Sequence, residues 1–173
     1  LPEHKEVGTD VYVAKGKTLL GRLTISDAIK SDTIEGIQDL KALSITPVML
    51  TGDNEKSAKA IGSLVGIENI HAGLLPEDKL SEMQKVRKDI GSVLFVGDGI
   101  NDAPVLAGAD VGAAMGSGAD AAIEAADVVF LNSNVDAISK AVRVARKVIK
   151  TAWENVAFAL IVKIAVMIMG LLG

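Results

Sequence analysis

Asp98 stands between two glycines in VGDGINDAP, residues 96–104, directly after the apolar run SVLF. Asn101 and Asp102 follow closely. Gly, Asn and Asp are turn residues for steric reasons, so one reading of the stretch is a tight turn. The sharper reading is a magnesium and phosphate site. Gly97 and Gly99 let the backbone bend sharply and approach a ligand closely. A carboxylate held there is a hard oxygen ligand of the kind Mg²⁺ takes, together with waters and substrate phosphate. Asn101 and Asp102 open the next predicted helix. Their side chains would either cap it or orient the water shell of the metal.

Two other stretches supply complementary chemistry. MLTGDN, residues 49–54, places the Thr51 hydroxyl and the backbone of Gly52 and Asp53 just before a predicted helix, a natural anion site. LLPEDK puts Lys79 in the first turn of another helix. The helix dipole opposes a cation there, which points the lysine toward an anion. A solvated surface lysine is the plain alternative. Together these residues offer Mg²⁺, a hydroxyl and an ammonium around one phosphoryl group, the electrostatic half of phosphoryl transfer. A nucleophile is missing from the set. Asp27, in ISDAIK, follows a strand but has no second acid or Thr placed to help it. His4 and His71 lie far apart without ligand spacing and read as surface or loop residues.

The elements that must carry these groups alternate in type. DVYVAKGKTLLGRLTI reads as a β-hairpin turning at Lys15-Gly16-Lys17. Asp32, with Glu35 three residues on, predicts a capped helix bearing Ile34, Ile37, Leu40 and Leu43 on one face. Strand and helix signals then alternate: ITPVMLT, NEKSAKAIGSLVG with Gly66 as its stop, NIHAGL, PEDKLSEMQKVRKDIG with Pro at its start, SVLFVGD, NDAPVLAGA, DVGAAMG, GADAAIEAA and DVVFLN. A last helix begins near Asn134. Such alternation predicts an α/β fold with a parallel sheet covered on both faces. Ligands of such sheets bind at the carboxyl ends of the strands, where Thr51-Gly52-Asp53 and Gly97-Asp98-Gly99 fall.

The 173 residues carry a net charge of −4, which argues against a nucleic-acid partner. There is no cysteine, so neither a disulfide scaffold nor a thiolate metal site can form within the chain. Aromatics make up 3% against 49% hydrophobic residues overall, so the core must be aliphatic. Residues 156–173, VAFALIVKIAVMIMGLLG, contain one charge, Lys163. A membrane helix needs about 20 mainly apolar residues, and this run has no polar face. Its alternative is a buried core helix. Trp153 fits an interfacial anchor, and Arg143, Arg146, Lys147 and Lys150 fit the cytoplasmic side of a span or a solvated helix face. Polar beginning and abrupt apolar end read together as a piece of a larger membrane protein.

MLTGDN, PEDK and VGDGINDAP, in this order, resemble the phosphorylation domain of a P-type ATPase, within the haloacid dehalogenase superfamily. AMGSGADAAIEAADVVFLN resembles the heavy-metal-transporting class in particular. The resemblance covers essentially the whole chain. It implies a haloacid dehalogenase-like (Rossmann-like) fold. It also implies that an aspartate in an Asp-Lys-Thr-Gly-Thr motif takes the γ-phosphoryl of ATP before the acyl phosphate is hydrolysed. By that resemblance Thr51 and Lys79 contact the phosphoryl group and Asp98 binds Mg²⁺. Asn101 and Asp102 complete the site. Gly52 and Asp53 shape the loop facing the nucleotide domain and, with Gly97 and Gly99, are the cofactor-binding residues. Residues 1–24 resemble the last hairpin of a nucleotide-binding domain. Residues 25–150 resemble the phosphorylation domain, with Asp27 and Lys30 at polar positions of its hinge, and 151–173 the start of a transmembrane helix. The implied setting is a cell membrane with the catalytic domain in the cytoplasm. The implied partners are ATP, a transported divalent metal, the lipid bilayer and the rest of the same polypeptide.

The Asp-Lys-Thr-Gly-Thr segment is absent from this sequence. The expectation is therefore a chain inactive alone, with a gap at the sheet centre and an aggregation-prone edge. Asn155 followed by Lys163 eight residues later resembles the zinc, cadmium and lead pumps. Copper pumps resemble Tyr-Asn at the Lys end instead. A lysine within a membrane helix is costly and by default functional, here as an internal counter-ion on the transport path. Snorkelling to the interface is its alternative. A copper or cobalt pump, a soluble haloacid dehalogenase-type phosphatase and a non-catalytic regulatory fragment remain as other readings.

Overall fold

The computed structural model describes residues 9–16, 18–25, 29–116, 120–132 and 134–173. His4, Lys17 and Asp27 lie outside them, as do residues 117–119 of the AMGSGAD stretch. The hairpin forms as expected. Strands β1 (Thr9–Lys15) and β2 (Thr18–Ile25) pair antiparallel, with Val11 opposite Leu23 and an irregularity between Val13 and Ala14. Val11, Val13, Leu19, Leu20 and Leu23 are all exposed.

Helix α1 (Ser31–Ala42) starts one residue before Asp32, with Lys30 at its N-cap and no side-chain cap. The expected capping box is therefore not made. Asp32 lies inside the first turn, and its carboxylate accepts the Val135 N–H at 3.1 Å instead. That bond ties α1 to the last helix, α6 (Asp136–Leu172), a continuous rod of 37 residues. Ile37 and Leu40 of α1 bury against Ile138 of α6, with Ile45, Ile67, Val96, Met115 and Phe130 packed around them.

The parallel strands form two sheets. In the first, β3 (Val48–Leu50) pairs with β4 (Asn69–His71). Helix α2 (Glu55–Val65) joins them and ends, as read, at a left-handed Gly66 with φ of 80°. In the second, β6 (Val111–Met115) lies between β5 (Leu94–Gly97) and β7 (Val128–Phe130). Helix α3 (Pro76–Asp89) links the two sheets. After β5 come a 3-10 turn (Ile100–Asp102) and α4 (Ala103–Gly108), and α5 (Asp120–Ala125) precedes β7. Ala113 and Ala114 on the central strand are fully buried. Small residues are required there because α4 packs on the sheet at close range. A Cβ on Gly112 would stand 2.4 Å from the Leu106 carbonyl oxygen.

β3 and β5 are not hydrogen-bonded to each other. A cleft of about 630 Å³ lies along them, lined by Val48 and Leu50 on one side and Val96 and Gly97 on the other. Lys79, Asp98 and Asp102 line it too.

Candidate active site

Three loops at the carboxyl ends of β3, β4 and β5 build the site. Thr51 leaves β3 and is held from both sides. Its N–H donates to the His71 carbonyl at 3.0 Å, and its carbonyl accepts the Leu74 N–H at 3.1 Å. The Asp53 N–H donates to Thr51 Oγ1 at 3.1 Å. That bond uses a lone pair of the hydroxyl and leaves its proton free to donate to an anionic oxygen. The Asp53 carbonyl accepts the Gly73 N–H at 2.7 Å, which pins the loop to the end of β4. Gly52 passes so close to the Leu74 carbonyl that a Cβ would lie 3.3 Å from it. Asn54 then caps α2, its Oδ1 accepting the Ser57 N–H at 2.9 Å.

Lys79 occupies the first turn of α3, where the dipole disfavours a cation. Its partner is Asp102: Nζ donates to Oδ1 at 2.8 Å. The two side chains are 20% and 11% exposed. At that burial the attraction outweighs the dipole cost of about 0.3–1 kcal/mol. The other Asp102 oxygen, Oδ2, accepts the Gly99 N–H at 3.3 Å. Asp102 makes no side-chain cap to α4, so the capping reading is corrected. Its carboxylate turns back toward the β5 loop, where Gly97 and Gly99 leave it room. A Cβ on Gly97 would lie 2.9 Å from the Asp102 Cβ.

Asp98 follows β5 directly and its side chain is exposed. Among the described residues it makes no hydrogen bond or ion pair. Asn101 is exposed on the 3-10 turn. Thus Lys79, Asp98 and Asp102 share one cleft, and the Thr51 loop stands at the end of its β3 wall. Among the described residues no group of three His, Cys, Asp or Glu could hold a metal. The donor set fits Mg²⁺ nonetheless. That ion takes one or two carboxylates and completes its shell with water and phosphate. Asp98 has its oxygens uncommitted, and Asp102 retains spare lone pairs beside Lys79.

Two supports escaped the sequence reading. His71 Nδ1 lies 3.0 Å from Glu82 Oε2, so the strand that holds Thr51 is tied to the helix that carries Lys79. Lys85 binds the other Glu82 oxygen at 2.5 Å and holds the carboxyl below its ordinary range. On the far side, Asp110 accepts the Val93 N–H at 2.9 Å and pairs with Arg87, anchoring the start of β5. Only the Glu82–Lys85 spacing was visible in advance. Lys163 lies on α6, exposed, far from this cleft in sequence and placed in the apolar run.

The sequence matches the haloacid dehalogenase-like hydrolase family over residues 2–110, and a second family of the same description over residues 79–142. It is 41% identical to a cadmium, zinc and cobalt-transporting ATPase of Bacillus subtilis, over 98% of this chain and 25% of that one. It is 42% identical to a copper-exporting P-type ATPase of Staphylococcus haemolyticus, over 95% of this chain and 21% of the relative. The fold superposes on a zinc-transporting PIB-type ATPase in its E2.Pi state with a TM-score of 0.81 at 36% identity, covering 89% of this chain and 25% of that structure. The chain thus spans about a quarter of the length of these relatives. A parallel α/β fold with its acids at the strand ends, a family match over most of its length and these relatives lead to one conclusion: the chain belongs to the haloacid dehalogenase-like hydrolases, in the branch of the heavy-metal P-type ATPases.

Proposed function

We propose that this chain forms the phosphorylation domain, and the first part of the following membrane helix, of an ATP-driven exporter of Zn²⁺, Cd²⁺ or Pb²⁺. In this reading residues 1–24 close the nucleotide-binding domain, 25–150 form the phosphorylation domain, and 151–173 enter the cell membrane from the cytoplasm. The observation that carries it is the meeting of Lys79, Asp102 and Asp98 in one cleft beside the Thr51 loop.

An aspartate from a segment outside this sequence attacks the γ-phosphorus of ATP. A P–O bond forms, the bond to the ADP oxygen breaks, and ADP leaves. Water later hydrolyses the acyl phosphate. The Thr51 hydroxyl and the Lys79 ammonium donate to the phosphoryl oxygens, in an environment that strengthens them. Asp102 holds Lys79 in place. Asp98, with Asp102 and Asn101 around its waters, would hold Mg²⁺, which when bound offsets phosphate charge. The nucleophile strand fits the cleft between β3 and β5, whose facing edges are unpaired with one another. Gly52 and Asp53 shape the loop that faces the nucleotide-binding domain.

The metal class rests on Lys163. Placed in a span, a lysine costs about 2.5–3.5 kcal/mol at the centre, so its presence needs a use. A counter-ion that helps expel a divalent cation is such a use. The copper exporter of Staphylococcus haemolyticus matches as closely as the zinc-class relatives, so a copper pump is the second reading. ATP hydrolysis by the whole pump in membrane vesicles separates them. Stimulation by Zn²⁺, Cd²⁺ or Pb²⁺, weakened in Lys163→Ala, supports the first. Stimulation by Cu⁺ alone, indifferent to Lys163, overturns it.

A further inference from the structure

The base of the apolar rod carries charges that phosphoryl transfer does not use. Arg143, Arg146, Lys147 and Lys150 stand at i, i+3, i+4 and i+7 on α6. At 3.6 residues per turn they share one face, within an arc of about 100°. Arg143 is bound to Asp39 at 2.9 Å. Lys150 reaches Glu154 only at 3.8 Å, with both side chains exposed. Arg146 and Lys147 have no hydrogen bond or ion pair among the described residues.

Lower on the same helix, Lys140 binds Asp136 at i,i+4. Higher up the pattern changes. Both Arg146 and Lys147 have other cations, Arg143 and Lys150, three or four residues away. Like charges at this spacing destabilise a helix, and Arg146 and Lys147 have no acid among the described residues to offset them, so this part of the cluster is unfavourable until an anion from outside meets it. Its height selects that anion. Lys150 lies one turn below Trp153, and the apolar run begins at Val156, about 9 Å beyond Lys150 by helical rise. Arg146, Lys147 and Lys150 therefore stand within about one Debye length, ~10 Å, of a membrane surface at Trp153.

We propose that Arg146, Lys147 and Lys150 hold the headgroups of anionic phospholipids at the cytoplasmic leaflet. The proposal rests on the reading of α6 as a membrane span. Juxtamembrane bases gain affinity for anionic leaflets, by about fivefold per cation.

Trp153 is the one tryptophan of the chain and reports on its own surroundings. The full chain is placed in phosphatidylcholine vesicles holding a fixed fraction of acyl-brominated lipid, either phosphatidylcholine or phosphatidylglycerol. The expected result is quenching of Trp153 by both, with brominated phosphatidylglycerol enriched about tenfold or more. Arg146→Gln, Lys147→Gln and Lys150→Gln together should lower quenching by phosphatidylglycerol to the phosphatidylcholine level and leave the latter unchanged. Equal quenching by the two lipids in the wild type overturns the headgroup assignment and leaves the span standing. No quenching by either overturns the span and the assignment together. Loss of the excess on adding millimolar inorganic phosphate at constant ionic strength overturns the lipid as the ligand in favour of free phosphate.

Discussion

Lys79 Nζ donates to Asp102 Oδ1 at 2.8 Å, joining the first turn of α3 to the turn that follows β5. Twenty-three residues separate the pair in sequence. One carboxylate thereby holds the lysine over the cleft and, through the Gly99 N–H, braces the loop that carries Asp98.

Asp102→Ala leaves the Lys79 ammonium and the Gly99 N–H without their acceptor. Breaking a fully buried pair costs about 3–5 kcal/mol, and an exposed pair about 0–1. With side chains 11–20% exposed, the loss here should be about 2 kcal/mol. Urea unfolding of the chain measures it. A change below about 0.5 kcal/mol, the size of an ordinary surface substitution, would mean that the pair does not hold the site together.

Gly97→Ala and Gly112→Ala should separate site geometry from stability. A Cβ at 112 meets backbone, the Leu106 carbonyl at 2.4 Å, and cannot be relieved by a side-chain rotation. It should cost about 3 kcal/mol, the upper part of the overpacking range. A Cβ at 97 meets the Asp102 side chain at 2.9–3.1 Å: the carboxylate can rotate away from Lys79, while the Cβ contact at 2.9 Å needs a smaller backbone shift than the 2.4 Å clash at 112. Gly97→Ala should therefore cost less in thermal unfolding, yet remove most phosphorylation in the whole pump. Equal stability losses would contradict the distinction.

Glu82 sets a pH dependence. Hydrogen bonding from Lys85 is the main cause that lowers its pKa, with His71 adding to it. A depressed carboxyl contributes stability above its unfolded pKa and loses it as pH falls through the folded one. The stability difference between wild type and Glu82→Gln should thus be constant near neutral pH. It should shrink below the ordinary carboxylate range. Unfolding midpoints across an acid titration test this, and a difference that grows on acidification has the wrong sign.

The legible parts of the chain were those with local signals. Gly66 ends α2 as read because a left-handed glycine acts within one turn. The strand-end positions of Thr51 and Asp98 followed from apolar runs ending in glycine. Asp32 misled because its carboxylate had two possible N–H targets, and the winner, Val135, lies 103 residues away. The partners of Lys79 and His71 were invisible for the same reason: α3 crosses between two sheets, and only packing brings Asp102 and Glu82 to them. The exposed faces of the hairpin carry no periodic clue to a partner, although the hairpin itself was plain; the register irregularity between Val13 and Ala14 was not.

Labelling with γ-phosphate-labelled ATP tests the central claim most directly. The protein is the whole polypeptide carrying this chain, compared with its Asp98→Asn variant at saturating Mg²⁺. The account predicts an acid-stable, hydroxylamine-sensitive phosphoprotein in the wild type and at least about a hundredfold less of it in the variant, as for loss of a principal electrostatic group. Equal labelling of the two would contradict the assignment of Asp98 to the magnesium and phosphoryl site.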